Sequence, residues 1–159
     1  LRAKYPQSSA CDAHISLTVP LGRGMTRSDW HELQALVSDV EPFEIRYGPL
    51  MNYLPAAPGV CLAIEPQSTL DDLRVTLESA SCFEGAPPRR HPFSAHMTIA
   101  EMVSVEETLS LMKTLRDAAP EGIFTCESIS YVVPDEAFRF TERVRLSLKG
   151  GEKRVGALH

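Results

Sequence analysis

Hydrophobic residues recur at steps of three and four in three stretches of the chain. Trp30, Leu33, Val37 and Val40 form the first set; Leu70, Leu73, Leu77 and Ala80 the second; Val105, Leu109, Met112 and Leu115 the third. That spacing predicts three helices, each burying one face. Each set is introduced by a hydroxyl residue with an acid three positions later: Thr26 and Asp29, Ser68 and Asp71, Ser104 and Glu107. This is the capping-box spacing, and the acids suit the positive end of the helix dipole.

Between the helices the pattern changes to period two. Ile15, Leu17 and Val19 alternate with polar residues over 13–19, and Met97 and Ile99 do so over 94–100. Phe43, Ile45 and Tyr47, then Val60, Leu62 and Ile64, form two further sets. Ile129, Tyr131 and Val133, and Val144, Leu146 and Leu148, form the last two. Alternation of this kind predicts strands with one apolar face, in sheets covered on one side by helices. The order reads strand, helix, strand, strand, helix, then strand, helix, strand, strand. A strand–helix–strand–strand run occurs twice, which suggests an internally duplicated α+β unit. Proline and glycine cluster over 55–59 and 85–92, predicting loops. The polar tail, 150–159, is expected to fray.

Length and composition narrow the picture. The 159 residues correspond to a single domain, 1–159, with 43% apolar and 23% charged residues, as in ordinary globular proteins. A net charge of −5 argues against a broad basic face that coats duplex DNA or RNA, but leaves room for a pocket gripping one phosphate. No apolar run approaches the roughly 18 residues of a membrane span. Residues 1–13 carry no apolar core of a secretory signal. Cys11, Cys61, Cys82 and Cys126 are widely spread with no C-x-x-C pair, so reduced thiols and a cytoplasmic location are expected.

Two short strings carry the candidate chemistry. Ala13-His14-Ile15-Ser16-Leu17 and Ala95-His96-Met97-Thr98-Ile99 repeat one pattern: histidine, apolar, hydroxyl, apolar. On a strand, positions i and i+2 share a face, so His14 and Ser16 point one way while Ile15 and Leu17 point into the core. His96 and Thr98 do the same. Paired positions lie about 6.6 Å apart along a strand, a reach suited to gripping one phosphate. If the halves converge, one neutral imidazole can act as base and one imidazolium as acid. The hydroxyls can donate to non-bridging phosphate oxygens. Such a set needs neither metal nor covalent intermediate.

The paired strings resemble the His-x-(Ser/Thr) signature of the two-histidine phosphoesterase superfamily, which includes the 2′-5′ RNA ligase proteins and cyclic phosphodiesterases. The segment His91-Pro-Phe-Ser-Ala-His96-Met-Thr98-Ile-Ala100 is especially similar to the family's second motif. The likeness in element order covers roughly 13–148. It implies an α+β fold of two lobes: pseudo-twofold antiparallel-sheet units with helices on the outer faces and a central cleft. It also implies metal-free hydrolysis of 2′,3′-cyclic phosphates, 1″,2″-cyclic phosphates or 2′-5′ linkages, without a cofactor. The expected partner is a 2′,3′-cyclic nucleotide or RNA 3′ end, with no duplex DNA and no membrane, and the protein is expected to be a monomer.

On this reading His14 and His96 are catalytic, with His96 favoured as base and His14 as acid. Ser16, Thr98, Arg89, Arg90, His91 and Tyr131 are candidate substrate-binding residues. Many relatives carry arginine three residues after the second hydroxyl, where this chain has Glu101; Arg89, Arg90 or Arg46 are candidates to replace its charge. Tyr53, Phe83, Tyr131 and Phe138 are candidates to stack on a base. His31 is expected at the surface and His159 in the tail. The rival readings are a non-catalytic nucleotide-binding or RNA-end-binding module and a zinc shell drawn from Cys11, His14, His91 and His96. No G-x-S-x-G elbow, P-loop or dinucleotide-binding glycine string is present.

Overall fold

The computed structural model describes residues 11–137 and 139–151. Thr26 accepts a hydrogen bond from the Asp29 amide, and the Asp29 carboxylate accepts one from the Thr26 amide, opening α1 (Arg27–Val37). Ser104 and Glu107 make the same reciprocal pair at the start of α3 (Val105–Leu115). α2 (Gln67–Glu78) begins differently. Its N-cap is Pro66, which has no side-chain donor or acceptor; the carboxylate of Glu65 accepts from the Gln67 amide instead, at 2.9 Å. Ser68 therefore lies inside the first turn rather than capping it.

Six strands follow in chain order among the described residues: β1 (Phe43–Tyr53), β2 (Ala57–Glu65), β3 (His96–Ala100), β4 (Gly122–Cys126), β5 (Ser128–Pro134) and β6 (Phe140–Ser147). They form a four-stranded antiparallel sheet in the order β3-β2-β1-β4 and a two-stranded antiparallel sheet, β5-β6. The class is α+β, as the alternation predicts. Two details depart from the sequence pattern. Residues 13–19 join no strand ladder and run as an irregular segment, and β4, which carries exposed Ile123 and Phe124, has no alternation to announce it.

The halves of the chain are also interleaved. β1 and β2 from the first half share a sheet with β3 and β4 from the second. The 13–21 segment instead packs toward β5-β6: Leu17 and Leu21 join a core with Trp30, Leu33 and Val37 of α1, Leu73 and Leu77 of α2, and Val144 and Leu146 of β6. A second core sits between α3 and the larger sheet, around Leu62, Ile99, Leu111 and Leu115. A third joins Ile45, Ile64, Leu70 and Ala95, with Ile15, Phe93 and Met97 against it. α2 thus feeds two cores: Leu70 enters the third and Leu73 and Leu77 the first.

α3 buries a stripe that overlaps the predicted one in part: Leu115 is buried and Met112 packs against the second core, as expected. Thr108, Leu111 and Leu115 are buried, while Val105 and Leu109 are more than half exposed. The Thr108 hydroxyl donates to the Ser104 carbonyl at 2.8 Å, so its polar group is satisfied within the helix and the side chain can be buried.

Candidate active site

β3 pairs with β2 so that His96 stands opposite Ala63, Thr98 opposite Cys61 and Met97 opposite Leu62. Directly paired residues share a face. Met97 and Ile99 therefore enter the packed side with Leu62, and His96 and Thr98 lie on the other, with Cys61 and Ala63. Both are half-buried. Arg46, opposite Glu65, belongs to this face too, on β1. The predicted alternation of the second motif is what the ladder imposes.

The first motif keeps the same alternation without a ladder. Ile15 and Leu17 pack into the cores, while His14 is half-buried and Ser16 exposed. The carbonyl of Leu17 accepts from the Arg89 guanidinium, and the amide of Val19 donates to the Glu78 carboxylate at 3.0 Å. Side chains here supply the backbone partners that a neighbouring strand would otherwise provide.

The two histidines are held alike. His14 Nδ1 lies 2.7 Å from the carbonyl oxygen of Asp12, and His96 Nδ1 lies 2.8 Å from that of Ser94. A carbonyl can only accept, so Nδ1 carries the proton in both and Nε2 is left as the exchangeable nitrogen. Each ring also meets an aromatic edge: Phe140 of β6 at 4.8 Å from His14, and Tyr53 of β1 at 5.4 Å from His96. The Tyr53 hydroxyl bonds the Ser94 hydroxyl at 2.8 Å, fixing the residue whose carbonyl orients His96. The segments carrying the histidines converge on the third core, where Ile15 follows His14 and Ala95 and Met97 flank His96.

The other candidates divide. Arg89 is not a free cation: its guanidinium bonds the Leu17 carbonyl, pairs with Glu78 at 2.9 Å and lies over the Phe93 ring at 5.3 Å. Its place is structural, because a half-buried carboxylate and an aromatic face give it better partners than water does. Burial pushes the Glu78 carboxyl up, but hydrogen bonds from Val19, Arg74 and Arg89 outweigh this and hold it below its ordinary range. Arg90 and His91 are exposed on the loop before β3, and Glu101 is exposed just after it. Tyr131 is half-buried on β5 and packs into the first core, as does Phe83. Phe138 and His159 lie outside the described residues. The zinc shell of Cys11, His14, His91 and His96 is not assembled; among the described residues no group of three or more His, Cys, Asp or Glu is placed to share an ion.

Burial pushes the Cys61 thiol, beside Thr98, up to about 11, so no thiolate competes with an anion there. None of the four cysteines forms a disulfide. Among the described residues no helix is long and apolar enough to cross a membrane. Periodicity did not reveal Phe140, Gln67 or Glu78; only the fold brings them to the motif segments.

Comparison with known proteins agrees with this architecture. The family model of the 2′-5′ RNA ligase superfamily matches residues 1–137. The crystal structure of E. coli LigT complexed with 3′-AMP is similar with a TM-score of 0.63 and 18% identity, over 92% of this chain and 86% of that chain. No curated protein matches the sequence significantly. The likeness to LigT speaks to the fold, two-lobed and antiparallel with helices on the packed faces.

Proposed function

The chain belongs to the 2′-5′ RNA ligase superfamily, and on that premise we propose that it is a metal-independent cyclic phosphodiesterase acting on the 2′,3′-cyclic phosphate of RNA 3′ ends or nucleotides. The observation that carries the reading is the matched presentation of His14 and His96. Each holds Nδ1 on a backbone carbonyl and so reserves Nε2 for proton transfer.

In the proposed reaction Nε2 of His96 takes a proton from water, and the water oxygen bonds to phosphorus. The bond from phosphorus to the ribose 3′ oxygen breaks. Nε2–H of His14 gives its proton to that oxygen, leaving a 2′-phosphate. The Thr98 and Ser16 hydroxyls donate to the non-bridging oxygens as charge builds on them. Glu101, exposed beyond the second motif, takes no part. Arg46, exposed on the face that carries His96, is the cation assigned here to meet the phosphate.

The test is turnover of the 2′,3′-cyclic ribonucleotides in EDTA by wild type, His14→Ala and His96→Ala. Wild type is expected to release one phosphate isomer with a bell-shaped pH–rate profile. Each substitution is expected to lower kcat by about 10²- to 10⁴-fold. Binding without turnover by wild type would point to a nucleotide-binding module or to another linkage, 2′-5′ or 1″,2″-cyclic. Undiminished turnover in both variants would remove the two-histidine scheme.

A further inference from the structure

α2 touches both motif segments through its two terminal residues. Gln67, the first residue of the helix, accepts from the Ala95 amide at 2.8 Å and donates to the Ala95 carbonyl at 2.9 Å and the Ile64 carbonyl at 2.7 Å. Its side-chain amide thus takes the role of a strand beside the residue that precedes His96. Glu78, the last residue, accepts from the Val19 amide at 3.0 Å and from Arg89, whose guanidinium also bonds the Leu17 carbonyl. Those bonds bracket the stretch that follows His14 and Ser16. Between the two ends the helix is a rod of about 16 Å. It is held by Leu70 in one core and by Leu73 and Leu77 in another. The loop between them is tied to the same helix, because Phe93 lies under both Arg74 of α2 and Arg89.

We propose that α2 is the spacer that sets the separation and orientation of the two histidines, with Gln67 as positioning residue for His96 and the Glu78–Arg89 pair as positioning residues for His14. The inference rests on the functional reading above for its catalytic consequence, though not for its structural one. The segment around His14 has no strand ladder to fix it, so its placement depends on side-chain bonds from elsewhere. A misplacement of about 1 Å between acid, phosphate and base is enough to lower a rate by about 100-fold.

The experiment compares wild type, Gln67→Ala, Gln67→Glu, Glu78→Gln, Arg89→Lys and Gln34→Ala. Gln34 is the matched control: its amide staples α1 to the Ser147 backbone by the same two-bond pattern, at 2.8 and 3.0 Å, at the end of β6 far from Phe140. Imidazole ¹⁵N chemical shifts of His14 and His96 are read in each protein. Gln67→Ala is expected to move the His96 shifts and leave His14 unchanged. Glu78→Gln and the milder Arg89→Lys are expected to move His14 and leave His96 unchanged. Gln67→Glu keeps the acceptor for Ala95 but loses both donated bonds, so an intermediate His96 shift is expected. In the cyclic-nucleotide assay, Gln67→Ala and Glu78→Gln are expected to lose about 10- to 100-fold in kcat with KM nearly unchanged.

Unmoved histidine shifts in Gln67→Ala and Glu78→Gln would overturn the proposal. So would equal shifts in Gln34→Ala, which would mark a general loss of stability. Absence of turnover in wild type would defeat the cyclic-phosphodiesterase reading alone, because the imidazole shifts still decide the role of α2.

Discussion

Thr98 and Ser16 place equivalent hydroxyls in unequal surroundings. Thr98 is half-buried on a ladder with Cys61 opposite, while Ser16 is exposed on an irregular segment. A donor held rigidly away from water stabilises developing charge more than one competing with solvent. Thr98→Val is therefore expected to lower kcat by about 100-fold and Ser16→Ala by about tenfold, read in parallel steady-state assays; a larger loss from Ser16→Ala would reverse the ranking. At this scale the sequence was informative about identity and poor about partners. The histidine and hydroxyl types, and the face each takes, followed from spacing. The commitment of Arg89 to Glu78 and Leu17 did not, because those partners lie 11 and 72 residues away. An arginine near a motif reads as a free cation until the fold supplies its carboxylate.

At the scale of the element, capping boxes were legible for α1 and α3 and buried faces for α1 and α2; the cap of α2 and the buried face of α3 departed from the pattern. Asp29 shows how much one cap can hold. It closes the α1 capping box and also pairs with Arg23 at 2.5 Å. The Arg23 guanidinium, with the Thr26 bonds, holds its carboxyl well below the usual carboxylate range against the opposing effect of burial. A depressed carboxylate contributes stability that is present above its unfolded pKa and is lost as pH falls through the folded one. Asp29→Asn is thus expected to melt below wild type at neutral pH, with the gap closing in acid below about pH 4. Thermal melts across a pH series would decide this, and a pH-independent gap would contradict it. By contrast, α3 carries two overlapping apolar stripes, and only the self-satisfied hydroxyl of Thr108 lets the helix bury the one that contains it. The 13–19 segment misled in the opposite direction: its alternation reflects burial of Ile15 and Leu17, and burial alone does not make a ladder.

At the scale of the molecule, a net charge of −5 sets the manner of recognition. That charge argues against a broad basic face that releases counterions, so on the proposed function affinity is expected to come from contacts at the phosphate and its ribose. A short RNA ending in a 2′,3′-cyclic phosphate and the free cyclic nucleotide are expected to show similar, shallow salt dependence, with log affinity falling against log salt by no more than about 1 to 2. Titrations over a salt series would measure it; a slope near −4 for the RNA alone would reveal a backbone-tracking surface. The α+β class was readable from the pattern of residues. The pairing of strands was not, since alternation says which face a strand buries and nothing of its neighbour.

That pairing has a consequence for how the gene could be cut. The repeated element order suggests two modules end to end, yet β3 and β4 complete the sheet begun by β1 and β2, and the stretch after His14 settles against β6. A nick in the loop before β3 would leave one fragment with a bare edge on β2 and the other with β3 and β4 lacking a sheet between them. Neither piece is a smaller version of the whole. Whatever ancestry the repeat records, the present chain is a woven article rather than a string of parts, and it stands or unravels as one.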